Sequence, residues 1–285
     1  MQIVVKNLNY TYSAKSKFSV KALKDVNLTI DEGEFFGIIG HTGSGKSTFI
    51  QHLNGLIKVG KNCGEIYVGD FNLTDKKCDF KKLRTKVGMV FQYPEYQLFA
   101  ETVFDDVAFG LKSKGKVEKE EIENKVREAI EKVGLNYEEI KEKSPFDLSG
   151  GQKRRVAIAG VIVTKPEILV LDEPIAGLDP RGKREFFKLL HSLHNDFVKT
   201  IIIVSHDMDS VAEHCSKIAV FNNGEIYATL TPKELFSRGE ELINLGLDLP
   251  MTAQVVNQLK EKNIDVETDY TIDNFIDSVC KIKKK

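Results

Sequence analysis

Residues 40–47 of this chain read "GHTGSGKS". The apolar run "EFFGII" precedes them, and a predicted helix, "KSTFIQHLNGL", begins at Lys46. A glycine-rich turn between a strand and a helix, with the pattern G-x-x-x-x-G-K-[ST], is typical of loops that bind phosphate groups. This stretch therefore predicts an α/β protein organised around a phosphate site.

The residue types in this stretch suit a triphosphate. Gly40, Gly43 and Gly45 leave room for successive backbone N–H groups to face one concavity, and the helix N-terminus adds partial positive charge. Lys46 is expected to reach the β- and γ-phosphates, and Ser47 to bind Mg²⁺ through its hydroxyl. The alternative is a chance glycine-rich turn before a helix, which the complete pattern and its context disfavour.

A second candidate site is "ILVLDE", residues 168–173, in which four apolar residues precede two acids. A buried strand of this kind places Asp172 and Glu173 at the carboxyl edge of a sheet, where ligands bind in such folds. We expect Asp172 to hold Mg²⁺, directly or through water, and Glu173 to polarise the attacking water. The alternative is a strand that ends in solvated acids.

The order of patterns along the chain predicts the architecture. Residues 3–39 are typical of strands, and apolar strands alternate with helices from about residue 150. This alternation indicates a mixed or parallel sheet covered on both faces. A helical block interrupts it, so we expect a helical subdomain inserted at about 95–165. Residues 236–285 form two further helical patterns, interpreted as a small C-terminal extension.

Bulk composition narrows the classes of function. The net charge is −1 over 285 residues, so no global basic field draws the chain to nucleic acid. No stretch approaches the roughly 18 apolar residues that a membrane-spanning helix needs, and we expect the chain to stay in the cytosol. The four cysteines contain no Cys-x-x-Cys pair and are expected to be free thiols.

The stretch "LSGGQ", Leu148–Gln152, identifies the family. Two glycines at the start of a helix indicate a second anion site. Because residues 40–47 already form a phosphate site, this second one implies that a γ-phosphate is bound between two chains. With the motifs above, the sequence resembles the ATP-binding-cassette (ABC) ATPases over residues 1–235. The resemblance implies an ABC-type P-loop NTPase fold with an antiparallel β subdomain and a helical subdomain, and an ATPase that uses ATP and Mg²⁺.

The resemblance also assigns site residues. It implies three catalytic residues, Glu173, His206 and Gln92, and three metal ligands, Ser47, Gln92 and Asp172. Tyr12 stands where the family's aromatic residue stacks on adenine, with Tyr10 the less favoured candidate. The implied ATP-binding residues are Tyr12, Gly40, His41, Thr42, Gly43, Ser44, Gly45, Lys46, Ser47, Thr48, Ser149, Gly150, Gly151 and Gln152.

One position departs from the family pattern. The family usually has Thr or Ser after Glu-Pro at the end of the acidic strand, and this chain has Ile175. Because the lost hydroxyl is not a catalytic group, we expect activity to survive. The segment Ala176–Asp179, "AGLD", matches the family's D-loop, which crosses the dimer.

Finer resemblance points to one branch of the family. The stretch "FQYPEYQLFAETVFDDVAFG" is similar to the segment after the Q-loop glutamine in energy-coupling factor (ECF) transporter ATPases, most of all the second of their two ATPase subunits. The resemblance implies an ATP-hydrolysing motor of a vitamin or transition-metal importer, peripheral on the cytoplasmic face of the cell membrane. Implied partners are a second ECF ATPase, or a second copy, a transmembrane coupling protein and a membrane substrate-binding subunit.

Several alternatives stay open at this point. A soluble ABC ATPase acting on ribosomes or DNA is the main one, although such proteins generally carry two cassettes or a long coiled coil. The apolar residues Tyr93, Tyr96, Leu98 and Phe99 would either pack on the helical subdomain or receive the membrane partner. The apolar faces of the extension would contact a second ATPase or cover only their own domain.

Overall fold

A computed structural model of the chain describes residues 1–112 and 118–282. The predicted insertion at about 95–165 and the predicted extension at 236–285 each include some residues outside these ranges. The strands are β1 (Ile3–Tyr12), β2 (Val20–Ile30), β3 (Phe35–Gly40), β4 (Glu65–Val68), β5 (Phe71–Asn72), β6 (Val87–Val90), β7 (Ile168–Asp172), β8 (Thr200–Val204), β9 (Lys217–Asn222) and β10 (Glu225–Leu230).

The helices cover much of the rest of the described chain. They are α1 (Lys46–Leu53), α2 (Phe80–Lys86), α3 (Val103–Lys112), α4 (Lys119–Lys132), α5 (Tyr137–Ile140), α6 (Gly150–Ile162), α7 (Pro180–Asp196), α8 (Met208–His214), α9 (Pro232–Phe236), α10 (Gly239–Asn244), α11 (Met251–Glu261) and α12 (Ile272–Ile282). Short 3₁₀ turns lie at Pro94–Gln97 and Pro145–Asp147. In these described ranges, no helix combines the length and the apolar character that crossing a bilayer requires.

The chain forms two compact units. The terminal unit comprises residues 2–78 and 202–285, and the middle unit comprises residues 79–201 together with residue 1. The predicted boundary after residue 235 and the predicted insertion at about 95–165 remain predictions.

The terminal unit contains an antiparallel sheet and a set of parallel strands. The antiparallel sheet has the order β2-β1-β4-β5, with Ile3 of β1 opposite Ile30 of β2 and Val68 of β4. These three side chains are fully buried, so one face of the sheet supplies part of the core. Strand β3 pairs in parallel with β9, and β9 pairs antiparallel with β10.

The middle unit combines buried parallel strands with helices. Strand β6 pairs in parallel with β7, and Val90 lies opposite Leu171. Every residue of both strands is buried, which explains why all of them except Asp172, at the end of β7, are apolar. Helix α6 packs against α3 and α4 in the same unit. The antiparallel sheet, the parallel strands and these helices confirm the predicted fold class.

Candidate active site

The phosphate loop joins β3 to α1 and depends on glycine at two crowded positions. A Cβ on Gly40 would lie 2.3 Å from the carbonyl oxygen of Phe221, and one on Gly45 would lie 2.6 Å from that of Ala22. The φ angles of Gly40, Gly43 and Gly45 are 152°, 81° and 106°, which glycine adopts at little cost. The loop conformation therefore needs these glycines, as the motif predicts.

Lys46 lies across the loop that precedes it. Its Nζ donates to the carbonyl oxygens of Gly40, at 2.6 Å, and of His41, at 2.9 Å. The ammonium is thus held over the loop by two main-chain acceptors. A phosphate oxygen is a stronger, charged acceptor for the same group.

A cavity of about 550 Å³ opens beside this loop in the terminal unit. That volume falls within the usual range for small-molecule sites. The predicted ATP-binding residues that line it are Tyr12, Gly43, Gly45, Lys46, Ser47 and Thr48. Two more lysines at the cavity, Lys21 and Lys24, add positive charge. The cavity's size and its three lysines fit a nucleoside triphosphate.

Tyr12 is the tyrosine that reaches the cavity. Its hydroxyl lies 3.2 Å from Thr48 Oγ1, which connects the end of β1 to α1. The Tyr10 ring contacts the Tyr12 ring edge-on, with centroids 4.8 Å apart, and also contacts the His52 ring, at 5.0 Å. This packing fixes the Tyr12 ring while leaving 39% of the residue exposed, and a base could stack on that surface.

The other predicted residues of the loop have different surroundings. Ser44 is fully buried, and its N–H donates to the carbonyl oxygen of His41 at 3.1 Å. The His41 ring lies 2.9 Å, at Nδ1, from the carbonyl oxygen of Thr42. Gly40 is buried at the end of β3. These four residues shape the loop in this conformation.

A hairpin turn missed by the functional reading of the sequence also lines the cavity. Asn223 and Gly224, between β9 and β10, have φ angles of 49° and 86°. The Gly224 N–H donates to the carbonyl oxygen of Ser44 at 3.0 Å, and the Lys24 N–H donates to that of Gly224 at 2.8 Å. The dipeptide Asn-Gly signalled a hairpin, but nothing local signalled its contact with the loop.

His206 lies just after β8, with Ser205 between the strand and the histidine. The Ser205 N–H donates to the carbonyl oxygen of Ile38 in β3 at 3.2 Å, so His206 leaves its strand beside the strand that carries the phosphate loop. The residue is exposed. Asp207 caps α8 by accepting from the Ser210 N–H at 2.9 Å, which fixes the backbone next to His206.

The middle unit brings Gln92, Asp172 and Glu173 to one edge of its strands. Because β6 and β7 run in parallel with Val90 opposite Leu171, residues that follow both strands emerge at the same end. Asp172 is buried, whereas Gln92 is exposed. Glu173 has a φ of 47°, an uncommon value for a residue with a side chain.

The motif Leu148–Gln152 forms the start of α6. Ser149 Oγ accepts from the Gln152 N–H at 3.4 Å, and Gln152 Oε1 accepts from the Ser149 N–H at 3.0 Å. This capping box leaves Gly150 and Gly151 exposed, with open space where a Cβ would stand. The N-terminus of α6 therefore presents its N–H groups to the surface, as an anion site requires.

The predicted residues thus fall into two sets. Tyr12, residues 40–48 and His206 belong to the terminal unit, and Gln92, residues 149–152, Asp172 and Glu173 belong to the middle unit. Within each unit, the strand ends and helix starts account for their placement.

Comparison with known proteins gives the family. The ABC transporter family profile matches residues 23–176. Over 284 residues the chain is 49% identical to the energy-coupling factor transporter ATP-binding protein EcfA2 of Clostridioides difficile (strain 630), covering 99% of this chain and 98% of that protein.

Solved structures give the same result. The chain is similar to cbiO1 from Clostridium perfringens, described as part of the ABC transporter complex cbiONQ, with 38% identity and a TM-score of 0.73 over 90% of this chain and 98% of that one. It is also similar to the ATP-binding cassette MJ0796, a dimer bound to ADP and Pi, with 32% identity and a TM-score of 0.71 over 80% of this chain and 98% of that one. The chain belongs to the ABC transporter ATPases and, within them, to the energy-coupling factor family, where it is most like the second of the two ATPase subunits.

Proposed function

We propose that the chain is the ATP-hydrolysing motor subunit of an ECF-type importer for vitamins or transition-metal ions. The observation that carries this proposal is the phosphate loop, with Lys46 held over it beside a cavity of about 550 Å³. The names of the relatives favour a transporter subunit over a soluble ATPase that acts on ribosomes or DNA.

The proposal gives each site residue a role. Bound Mg²⁺ would neutralise charge on the transferred phosphoryl group, with Ser47, Gln92 and Asp172 as its protein ligands. Glu173 polarises the attacking water, and His206 contacts the γ-phosphate. Phosphoryl transfer to water needs mainly positioning and charge stabilisation, which the backbone N–H groups and Lys46 supply.

The active form in this proposal is a dimer with a second ECF ATPase or with another copy. The exposed start of α6, Ser149–Gln152, supports it, because an open helix N-terminus can bind a phosphate carried by another chain. The similarity to a dimeric cassette bound to ADP and Pi is in agreement. ATP-driven closure of the dimer would perform mechanical work, and hydrolysis would reset it.

The remaining partners are a transmembrane coupling protein and a membrane substrate-binding subunit, with the chain peripheral on the cytoplasmic face of the cell membrane. An exposed aromatic patch in the middle unit supports a docking role. Tyr96 and Phe99 are 84% and 60% exposed, and the Phe99 ring contacts that of the exposed Phe109 with centroids 5.0 Å apart. Exposed aromatic clusters of this kind are typical of interaction surfaces.

The chemistry can be tested with two variants of the full chain. Lys46→Ala should weaken ATP binding, because it removes the cation from the phosphate loop. Glu173→Gln should retain ATP binding, lower turnover by about 10²-fold or more, and accumulate a closed dimer. Binding is measured by calorimetry, hydrolysis by phosphate release and dimerisation by sedimentation.

Exposed residues away from the loop provide the matched controls. Lys61→Ala and Glu240→Gln should leave both binding and turnover unchanged. Unaltered ATP affinity in Lys46→Ala would contradict the phosphate-loop assignment, and near-normal hydrolysis in Glu173→Gln would remove that residue from catalysis.

A further inference from the structure

Arg154, in α6 of the middle unit, has a fully satisfied and buried guanidinium. Nε donates to Glu95 Oε2 and Nη2 to Glu95 Oε1, each at 3.1 Å. Nη1 donates to the carbonyl oxygens of Pro174, at 3.3 Å, and Ala176, at 3.2 Å, and Nη2 also donates to that of Ala176, at 3.2 Å. Only 8% of its side chain is exposed. Each N–H donor of this group therefore has an acceptor.

These acceptors belong to the two segments that follow Gln92 and Glu173. Glu95 lies in the turn Pro94–Gln97, three residues after Gln92, and its side chain is 18% exposed. Pro174 and Ala176 lie in the connection from β7 to α7, immediately after Glu173. One planar group thus connects both segments to α6, the helix that Ser149 caps.

Both segments begin with a strained residue. Tyr93 and Glu173 have φ angles of 54° and 47°, and each precedes a proline. A positive φ is uncommon for residues with side chains, and a following proline restricts the backbone further. Such conformations persist only where the surrounding structure holds them. The contacts of Arg154 hold the backbone immediately C-terminal to Tyr93 and to Glu173, where the prolines lie.

The unusual residue Ile175 agrees with this arrangement. Its side chain is buried, with 3% of the residue exposed, so it packs in the apolar interior. The carbonyl oxygens on either side of it, those of Pro174 and Ala176, accept from Arg154. The main chain is therefore anchored at the position where the family usually supplies a hydroxyl side chain.

We propose that Arg154 is a positioning residue for ATP hydrolysis. Through its guanidinium, the turn after Gln92 and the connection after Glu173 are held in one joint arrangement. Displacement of the turn, for example by a partner that binds the exposed Tyr96, is then transmitted to the backbone next to Glu173. This inference rests on the proposed ATPase function and adds a specific connection between its docking surface and its catalytic carboxylate.

The test compares Arg154→Lys, Glu95→Gln and the double variant with the full-length wild type. Lysine keeps the charge but cannot make the forked contacts to carboxylate and carbonyls together. We expect each single variant to lower kcat about ten-fold or more, while ATP affinity changes by less than about two-fold. The double variant should lose little more than either single variant, because both changes act through one guanidinium.

Arg155→Lys is the matched control on the same helix. Arg155 donates to the carbonyl oxygen of Val133 and to Glu185, and its replacement should leave kcat within about two-fold of the wild type. Expressing kcat per mole of bound nucleotide, with the thermal midpoint recorded, separates positioning from loss of folded protein. If Arg154→Lys fails to fold, Glu95→Gln alone decides the question.

The outcomes separate this inference from the proposed function. A wild type without hydrolysis would contradict the ATPase assignment itself. An active wild type with unchanged kcat in Glu95→Gln or Arg154→Lys would overturn only the inference about Arg154. Additive losses, or kcat and ATP affinity falling in parallel, would overturn it as well.

Discussion

At the residue scale, His52 is a buried base next to the proposed adenine site. His52 is fully buried, its Nδ1 lies 2.7 Å from the carbonyl oxygen of Thr48, and its ring contacts that of Tyr10. Burial lowers its pKa below the ordinary value of 6.5, and the hydrogen bond to Thr48 opposes this only in part. The neutral ring therefore supports the packing of Tyr10 and Tyr12.

This lowered pKa predicts a loss of stability in acid. The unfolded chain binds a proton to His52 more readily than the folded protein does. The contribution of the neutral His52 ring to the free energy of unfolding is therefore fully present above pH 6.5. It declines as the pH falls through that value towards the lower pKa of the folded state. The free energy of unfolding, measured by urea titration from pH 8 to pH 5, should fall more steeply for the wild type than for His52→Gln.

Every other ionisable group is the same in the two proteins, so the difference in pH dependence between them reports on His52. Equal slopes of unfolding free energy against pH would contradict the role given to His52. At pH 8 the difference in unfolding free energy between the wild type and His52→Gln measures only the effect of replacing the ring.

Residues differ in how far their roles could be predicted. Gly40, Gly45 and Lys46 were predictable, because a contiguous motif specifies both the loop and its chemistry. Arg154 was not, because it is one of two adjacent arginines in "KRR", and only the tertiary structure directs one inward to Glu95 and the other to Glu185. The strain at Glu173 was equally hidden, since proline usually disfavours such a backbone.

At the element scale, the β9–β10 turn acts as a wall of the nucleotide cavity. A Cβ on Gly224 would lie 2.9 Å from the carbonyl oxygen of Ala22, and its φ is 86°. Gly224→Ala should therefore weaken ATP binding by displacing the turn that supports Ser44, with a strain of about 1–3 kcal/mol. Calorimetric titration with ATP measures the effect.

Gly246→Ala provides the control for backbone strain. Gly246 has a φ of 72° and open space around the position of a Cβ, so it reproduces the unfavourable φ without the collision. It should lower the thermal midpoint without changing ATP affinity. Equal ATP affinities for Gly224→Ala and the wild type would show that the turn does not support the loop.

The segment after Gln92 yields a prediction about the membrane partner. Leu98 is buried whereas Phe99 is 60% exposed, so Phe99→Asp tests docking without disturbing the interior. It should abolish copurification with membrane proteins in detergent and leave ATP affinity unchanged. Phe18→Asp, at an 86% exposed position in the terminal unit, should retain the membrane proteins.

If Phe99→Asp still copurified with membrane proteins, the patch would not be their docking site. Recovery of ribosomes or DNA in place of membrane proteins would reverse the proposed function. The sequence alone does not show whether Tyr93, Tyr96, Leu98 and Phe99 pack inward, because only the burial of each side chain distinguishes the two cases. In the structure Leu98 is buried, whereas the three aromatic residues are exposed.

At the scale of the whole molecule, the C-terminal helices suggest how two ATPases associate. In the terminal unit, the Met251 N–H donates to Asp209 and the Ile272 N–H donates to Glu213, both in α8. Val256 of α11 is buried, whereas Ile272 and Ile276 of α12 are 55% and 52% exposed. The apolar face of α11 is thus used within its own unit, whereas Ile272 and Ile276 of α12 stay exposed, as the proposed contact with a second ATPase requires.

Removal of α12 should weaken dimerisation in the absence of ATP. A chain that ends at Thr271 retains α11 and the Phe236–Tyr270 ring contact, although it loses the bond from Ile272 to Glu213. Sedimentation equilibrium should show a larger dissociation constant for this chain and for Ile276→Asp. An unchanged dissociation constant in both would place the dimer contact elsewhere.

The hydrogen bond from Gly224 to Ser44 also has a consequence for synthesis of the chain. The phosphate loop is translated early, but the turn that completes its surroundings is translated about 180 residues later. At about 5–20 residues per second, this interval lasts roughly 10–40 s. During that time the nascent loop lacks its last wall, so nucleotide can stabilise the protein only near the end of translation.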